Sequence, residues 1–556
     1  VAREGLESYP SGWVLVPRAV LRSGMTVSRT DPQFSDAPEN AFADRVERSR
    51  RRSLGQFFTP YAVARFMARW VVGNPSVKTI LDPAVGLGVF FRAASEVAEQ
   101  ELHFVGYDVD PLVLDKASRL LADCVRATLR ERDFLRNDWE GRFDGILCNP
   151  PYQRFQNYPE RARTLTEFAS RLNVELSGYT NLYALFLLKG VAQLAAGGRA
   201  AFIVPSEFLN TGYGERIKAF LLGSGALRYV LVFDFGSNVF DRALTTACLL
   251  LFANDGRNAP VEFLTIRSVE DLASLEPVLA EYPNARRIGN RVAAPDPTAK
   301  WRVYYQPSAT ATNGLVPLST YGRVVRGIAT GHNDFFALSE PQRRRLGISE
   351  RFVLPCLTKA THARSSLFTD EDFARLRDGG KKVWLLNVGD TPDAAVRAYL
   401  RHGEATGVHQ RYLTRHRSPW YAIEKRTPAP VLVTVFGRGG VRFVRNEAPV
   451  WNLTCFHGWN LDGLEPSQVD LLMAYLLTNV AQEVVAGNRR EYGDGLEKFE
   501  PNDPNDALVL DVNALTEETA SDALRLYDAY LRSVRRGAPD ESRRVALDAL
   551  FRAATT

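Results

Sequence analysis

Between about 77 and 253 the chain alternates short β-branched or apolar runs with stretches of helical period, the rhythm of a parallel sheet with crossover helices. The runs predict strands near 78–82, 103–108, 128–132, 143–148, 200–204, 228–234 and 243–252. Helices fit near 61–71, 89–99, 111–122, 180–196 and 213–222, the third introduced by "DPLVLDKASRLL". From 254 to about 320 the composition turns to Pro, Asn and Arg, which marks a boundary. Beyond it, strand-like "VLVTVF" and helical "SQVDLLMAYLLTNVAQEVVAG" predict a second, α+β domain. The expected plan is an N-terminal extension over 1–50, an α/β domain over 51–256, a connecting region over 257–320 and the second domain over 321–556. No internal repeat or long low-complexity segment interrupts it.

Bulk properties narrow the class. A chain of 556 residues exceeds what one hydrophobic core usually organises, so two or three domains are expected. Its longest nearly unbroken apolar run, "ALTTACLLLFA" at 243–253, is too short to cross a bilayer. The opening residues carry no secretory pattern, and the five cysteines stand in neither metal-ligand nor disulfide spacing. A reducing cytosol is therefore the expected setting, with no metal and no membrane. A net charge of +5 permits a polyanionic partner without demanding one. Basic clusters occur at 45–53, 341–347, 411–420, 487–493 and 532–536, and each taken singly reads as a solvated face before it reads as a binding stripe.

Candidate chemistry collects at the predicted strand ends. "TILDPAVGLGVFFRAA" at 79–94 is a strand, a glycine turn and a helix, and Gly86 and Gly88 would let the backbone approach a ligand. One strand later "FVGYDVDP" ends in Asp108 and Asp110, and a carboxylate there can accept both hydroxyls of a ribose. The glycines do not follow the dinucleotide spacing, which argues for a ribose without a pyrophosphate. Asp133 and Phe134 end the third strand, suited to an adenine amino group and face. Any one of these acids also reads as a helix cap or surface turn.

"CNPPY" at 148–152 closes the fourth predicted strand, where open α/β sheets bind ligands. The Asn149 side-chain oxygen can accept from an exocyclic amine. The Pro150 carbonyl is a second acceptor, and Pro151 after it has no N–H to compete. Tyr152 offers a ring for a planar substrate.

In the order of these motifs the chain resembles the class I S-adenosylmethionine-dependent methyltransferases that act on DNA amino groups. The nearest branch is the adenine-N6 one, the TaqI-like and Eco57I-like restriction-modification enzymes. The likeness runs over roughly 50–256 and more loosely over 320–510. It implies a Rossmann-like, mostly parallel seven-stranded sheet followed by an α+β target-recognition domain. It implies cofactor contacts from Thr59 and Pro60 in "GQFFTP", and from Asp82, Pro83, Ala84, Gly86 and Gly88 in the glycine motif, where Val85 replaces a frequent Cys. Asp108 matches the ribose acid, and Asp133 with Phe134 the adenine pair. Asn149, Pro150, Pro151 and Tyr152 match the catalytic motif, and Phe240 matches a second aromatic that packs on the extruded base. Asn181, Leu182 and Tyr183 open a characteristic following helix. In the second domain Arg417, Arg438 and Arg442 are candidate DNA contacts.

The activity implied is methyl transfer from S-adenosylmethionine to N6 of a flipped adenine in a specific double-stranded DNA site, in a bacterial or archaeal cytoplasm at the nucleoid. A complete nuclease has little room ahead of the catalytic domain, so any cognate restriction endonuclease is expected as a separate chain. Cytosine-N4 methylation and a non-catalytic DNA-binding or specificity role are the alternatives. Cys148 reads as a packed apolar residue, because an amine needs no thiolate to activate it.

Overall fold

A computed structural model describes residues 13–15, 32–46, 50, 58–122, 126–136, 139–153, 155, 158–176, 180–233, 247–268, 270–306, 314–389, 391–437, 441–461, 463–485, 490–492, 496–498, 502–505 and 507–555. The chain divides into two compact units, one running to Pro307 and including 492–494, the other formed by the rest.

The first unit is built on a ten-stranded sheet. Its strands are β1 (Trp13–Leu15), β2 (Thr79–Asp82), β3 (His103–Asp108), β4 (Ala127–Glu131), β5 (Phe143–Cys148), β6 (Leu194–Pro205), β7 (Leu227–Phe233), β8 (Ala247–Ala253), β9 (Val261–Ile266) and β10 (Asn290–Val292), in the spatial order β1-β4-β3-β2-β5-β6-β8-β7-β9-β10. All seven expected strands are present as β2 to β8. Pairing from β4 through β3, β2 and β5 to β6 is parallel, and β8 runs antiparallel to both its neighbours.

Every residue of β7 and of β8 is buried, as near-continuous apolar strands covered on both faces must be. One apolar core holds buried side chains of the helices Tyr61–Val72, Val89–Val97, Pro111–Leu121 and Asp271–Ala280. The core on the other side takes Phe168, Leu182 to Leu188 and Ile217 from the helices Arg161–Leu172, Leu182–Ala192 and Gly214–Gly223. Trp70 joins helix to sheet: its indole N–H lies 3.1 Å from the Ala200 carbonyl and 3.2 Å from that of Phe252, across the β6–β8 pair.

Residues 257–320, expected only to connect, supply β9, β10 and the helix Asp271–Ala280. β9 lies parallel to β7 and buries Val261 and Phe263 in one core and Ile266 in the other, so apolar residues on both faces of "VEFLTI" outweigh the surrounding Pro, Asn and Arg.

In sequence the chain runs from β2 outward through β3 to β4, then returns to place β5 on the opposite side of β2. That reversal is the topological switch point of an open α/β sheet, and ligands bind beyond the carboxyl ends of the strands beside it. Asp82, Asp108 and Cys148 are the last residues of β2, β3 and β5.

The second unit is α+β. A five-stranded sheet orders Gly322–Arg326, Phe456–Leu461, Val431–Thr434, Phe443–Asn446 and Leu367–Phe368. A four-stranded sheet orders Ala337–Ser339, Lys382–Leu386, Val353–Leu357 and Trp451–Asn452. The helices Pro466–Leu476, Glu517–Arg535 and Glu541–Thr555 contribute to the core that holds Trp459, Tyr475 and Tyr527.

Candidate active site

The glycine turn follows directly from β2 and leads into the helix Val89–Val97. Gly86 has φ +53° and Gly88 φ +80°, a region in which side chains are strained. The two glycines face different ways. A Cβ on Gly88 would come within 2.8 Å of Leu121, so this position is needed for helix packing, whereas one on Gly86 would meet no described atom nearer than the Ala84 carbonyl oxygen at 4.0 Å. Gly86 therefore keeps the turn open on the side where a ligand can lie.

Two carboxyl groups hold this turn. Asp108 Oδ2 accepts from the Gly86 N–H at 3.1 Å and its Oδ1 from the Asp110 N–H at 2.9 Å. Burial raises the Asp108 pKa above the ordinary carboxylate value, the two backbone N–H groups oppose the rise, and the Asp110 charge adds to it. Asp82 is completely buried at the end of β2 and accepts the Ala84 N–H at 3.0 Å through Oδ1. Burial pushes its pKa well above the ordinary carboxylate value and Asp108 adds to the shift, both favouring the protonated form. No described residue hydrogen-bonds Asp82 Oδ2. Asp110 is a cap: it accepts the Leu112 N–H at 3.1 Å to start its helix and pairs with Arg50 at 2.9 Å. Pro83 is buried and Ala84 half-buried beside them.

Asp133 lies past the end of β4. Its Oδ1 accepts the Leu135 N–H at 3.0 Å and its Oδ2 the Tyr158 hydroxyl at 2.6 Å. Phe134 is buried, with its ring 5.3 Å from Phe186 and 6.4 Å from Tyr107. The ammonium of fully buried Lys189 stands 4.6 Å from the Phe134 ring centre and 4.5 Å from that of Trp139, and donates to the Phe134 carbonyl.

The catalytic-motif candidates leave β5 across the switch point from the glycine turn. Asn149 is half-buried, and its amide Nδ2 donates to Thr59 Oγ1 at 3.0 Å. Thr59 is buried just ahead of Pro60, which precedes the helix Tyr61–Val72. Pro150 is buried, and Pro151 and Tyr152 are half-buried.

The Tyr152 hydroxyl donates to the Ile203 carbonyl at 3.3 Å, and its ring meets Tyr183 edge to face at 6.3 Å. Tyr183 shares a 2.8 Å hydrogen bond with the Tyr213 hydroxyl, which also lies 2.8 Å from Glu207 Oε1; Asn181 Nδ2 donates to that same carboxylate oxygen at 2.6 Å. Burial raises the Tyr152 phenol far above its usual value, so it is no base. Cys148 is completely buried, and burial holds its thiol protonated.

The structure brings Asp108 to the glycine turn and places Asn149 directly after β5. Sequence reasoning did not name Tyr158 or Lys189, whose partners Asp133 and Phe134 lie 25 and 55 positions away, nor Glu207. In the second unit Arg417 donates to the carbonyls of Ala329 and Thr330, and Arg442 to those of Ala363 and Ser365. Burial lowers the pKa of Arg442. Both guanidinium groups thus tie loops of their own domain. Phe240, Arg438 and residues 55–57 of "GQFFTP" lie outside the described residues. Among the described residues no group of three or more His, Cys, Asp or Glu could hold a metal ion, and no helix is long and apolar enough to cross a membrane.

Comparison with known proteins shows the family. Residues 31–274 match the family model described as N-6 DNA Methylase, and residues 304–539 the model of the type II methyltransferase M.Eco57I, C-terminal domain. Type II methyltransferase M.AccI of Acinetobacter calcoaceticus is 40% identical over 509 residues, 91% of this chain and 94% of that protein. Type II methyltransferase M.XamI of Xanthomonas campestris pv. amaranthicola is 27% identical over 81% of this chain and 84% of its own. Among solved structures, the DrdV–DNA complex shares the fold with a TM-score of 0.50 at 11% identity, over 88% of this chain and 59% of that one. The chain belongs to the Eco57I-type family of S-adenosylmethionine-dependent, N6-adenine DNA methyltransferases of restriction-modification systems, enzymes that methylate DNA within a specific sequence.

Proposed function

We propose that this chain methylates N6 of an adenine turned out of a specific duplex sequence, with Asn149, Pro150 and Tyr152 as the groups that hold the base. The observation that carries this reading is the position of Asn149. It follows the last residue of β5, across the switch point from a glycine turn in which a Cβ on Gly86 would meet no described side chain within 4 Å.

S-adenosylmethionine, when bound, supplies an electrophilic methyl carbon on a sulfonium. The residues present fit it: Gly86 leaves its side of the turn open, Asp108 already anchors that turn, and Asp82 carries a buried carboxyl oxygen with no described donor. Asp82, Pro83, Ala84, Gly86 and Gly88 would hold the methionine end, with Pro60 beside it. Asp108 would take the ribose. Asp133 and Phe134 would face the adenine, since a carboxylate oxygen that accepts from Tyr158 can accept a second donor.

A base inside a duplex cannot present N6 for in-line attack, so the adenine leaves the stack. Tyr152 supplies the ring on which it lies, and Phe240 is expected to cover it. The Asn149 oxygen and the Pro150 carbonyl accept the two N6 protons and turn the nitrogen lone pair toward the methyl carbon. The proton lost on methylation of N6 would pass to solvent. Acceptors placed where positive charge grows on nitrogen supply most of the rate. Duplex DNA is the partner, and a restriction endonuclease the counterpart in the host.

Replacing Asn149 by alanine tests the reading. Methyl transfer should fall by at least about a hundredfold, the scale of losing one preorganised polar contact to a developing charge. DNA and cofactor affinity should stay within a few-fold of wild type. Near-normal turnover in Asn149→Ala would contradict the assigned role.

A further inference from the structure

The Asn149–Thr59 hydrogen bond joins residues 90 positions apart, and it distinguishes the two ends of the Asn149 amide. A primary amide presents a donor at one end and an acceptor at the other, related by a half-turn that barely changes its shape. A substrate amine needs the acceptor end. An amide turned the other way would direct N–H groups at the amine and repel it. Nothing in the shape of asparagine selects one orientation, so the selection must come from a neighbour.

The geometry points to Thr59 as the positioning residue that makes this selection, an inference that rests on the function proposed above. The Thr59 hydroxyl offers lone pairs as well as a proton, and here a lone pair takes the Nδ2 hydrogen at 3.0 Å. With Nδ2 so engaged, Oδ1 is the end of the planar group directed away from Thr59. Thr59 is itself only 3% exposed, and the helix that starts after Pro60 buries nine of its twelve residues, so the acceptor stands on a rigid support. Thr59 thus acts on the reaction through Asn149. This differs from the direct cofactor contact expected from the "GQFFTP" motif, and the two roles predict different kinetics.

The test compares the whole protein with its Thr59→Val and Thr59→Ser variants on a duplex carrying the recognition sequence. Valine matches threonine in shape but cannot accept a hydrogen bond, and kcat should fall about ten- to a hundredfold, the range expected when a catalytic group is misplaced. The dissociation constant of S-adenosylmethionine should stay within about twofold, and serine should restore most of kcat. A second readout reports the amide orientation itself. Hypoxanthine carries a carbonyl where adenine carries N6, so an amide released to turn over can donate to it. The preference for adenine over hypoxanthine at the target position, measured as a ratio of binding constants, should narrow about tenfold in Thr59→Val. The same ratio in wild type cancels any mismatch effect.

A Thr59→Val enzyme with unchanged kcat and unchanged base preference would overturn the inference. So would a loss confined to cofactor affinity, which would return Thr59 to a cofactor contact. Should the valine variant fail to fold, Thr59→Ala carries the same two readouts. Wild-type enzyme that left adenine unmethylated would refute the function rather than the positioning role.

Discussion

Shortening Tyr152 to alanine removes two separable things. One is a hydrogen bond from its hydroxyl to the Ile203 carbonyl, long at 3.3 Å, and the other is the half-buried ring itself. A neutral hydrogen bond contributes about 0.5–1.5 kcal/mol net, and this length places it at the lower end, so Tyr152→Phe should slow transfer by no more than about fivefold. Loss of base stacking costs about 1–3 kcal/mol, so Tyr152→Ala should slow transfer about five- to 150-fold. Tyr152→Leu keeps apolar bulk without a π-face and should fall near alanine. The edge-to-face contact with Tyr183 supports the fold, so its loss appears in unfolding measurements made alongside. Single-turnover transfer of labelled methyl to a duplex, at saturating DNA and cofactor, reads the series directly. Alanine as fast as wild type, or phenylalanine as slow as alanine, would refute the stacking role.

Two other groups make further predictions. Asp82 has its pKa raised by burial, so the native state keeps a proton that the unfolded chain releases near its ordinary value; the contribution is largest below that value and is lost as pH rises toward the native pKa, by about 1.4 kcal/mol per pH unit. Asp82→Asn removes that dependence, so denaturant unfolding should show the variant gaining on wild type as pH rises above the ordinary carboxylate range; parallel curves would contradict the raised pKa. Cys148→Ala should retain kcat within about threefold, since a buried protonated thiol does no chemistry here, and thiol reagents should leave the native protein active. Abolished transfer, or a covalent protein–DNA adduct that depends on Cys148, would contradict this.

Much of the fold was legible because β2 to β8 are apolar enough to stand out from their surroundings. The additions were harder to read. The helix Arg161–Leu172 buries only Thr164 and Phe168, too faint a stripe to recognise, and β9 sits in a stretch whose composition suggests a linker. Asn149, Asp108 and the glycine turn could be named because their chemistry depends on residue type at a strand end. The bonds that orient them could not, because Thr59 meets Asn149, and Tyr158 meets Asp133, only once the chain is folded. Arginines in the second domain carried the least information: Arg417 and Arg442 match a DNA contact in composition, yet both bind local backbone carbonyls.

The most direct measurement incubates the purified chain with duplex DNA and methyl-labelled S-adenosylmethionine, then digests the DNA to nucleosides and separates them. The label is predicted in N6-methyldeoxyadenosine. Label in N4-methyldeoxycytidine, or DNA left unlabelled by a folded, cofactor-binding protein, would contradict the account.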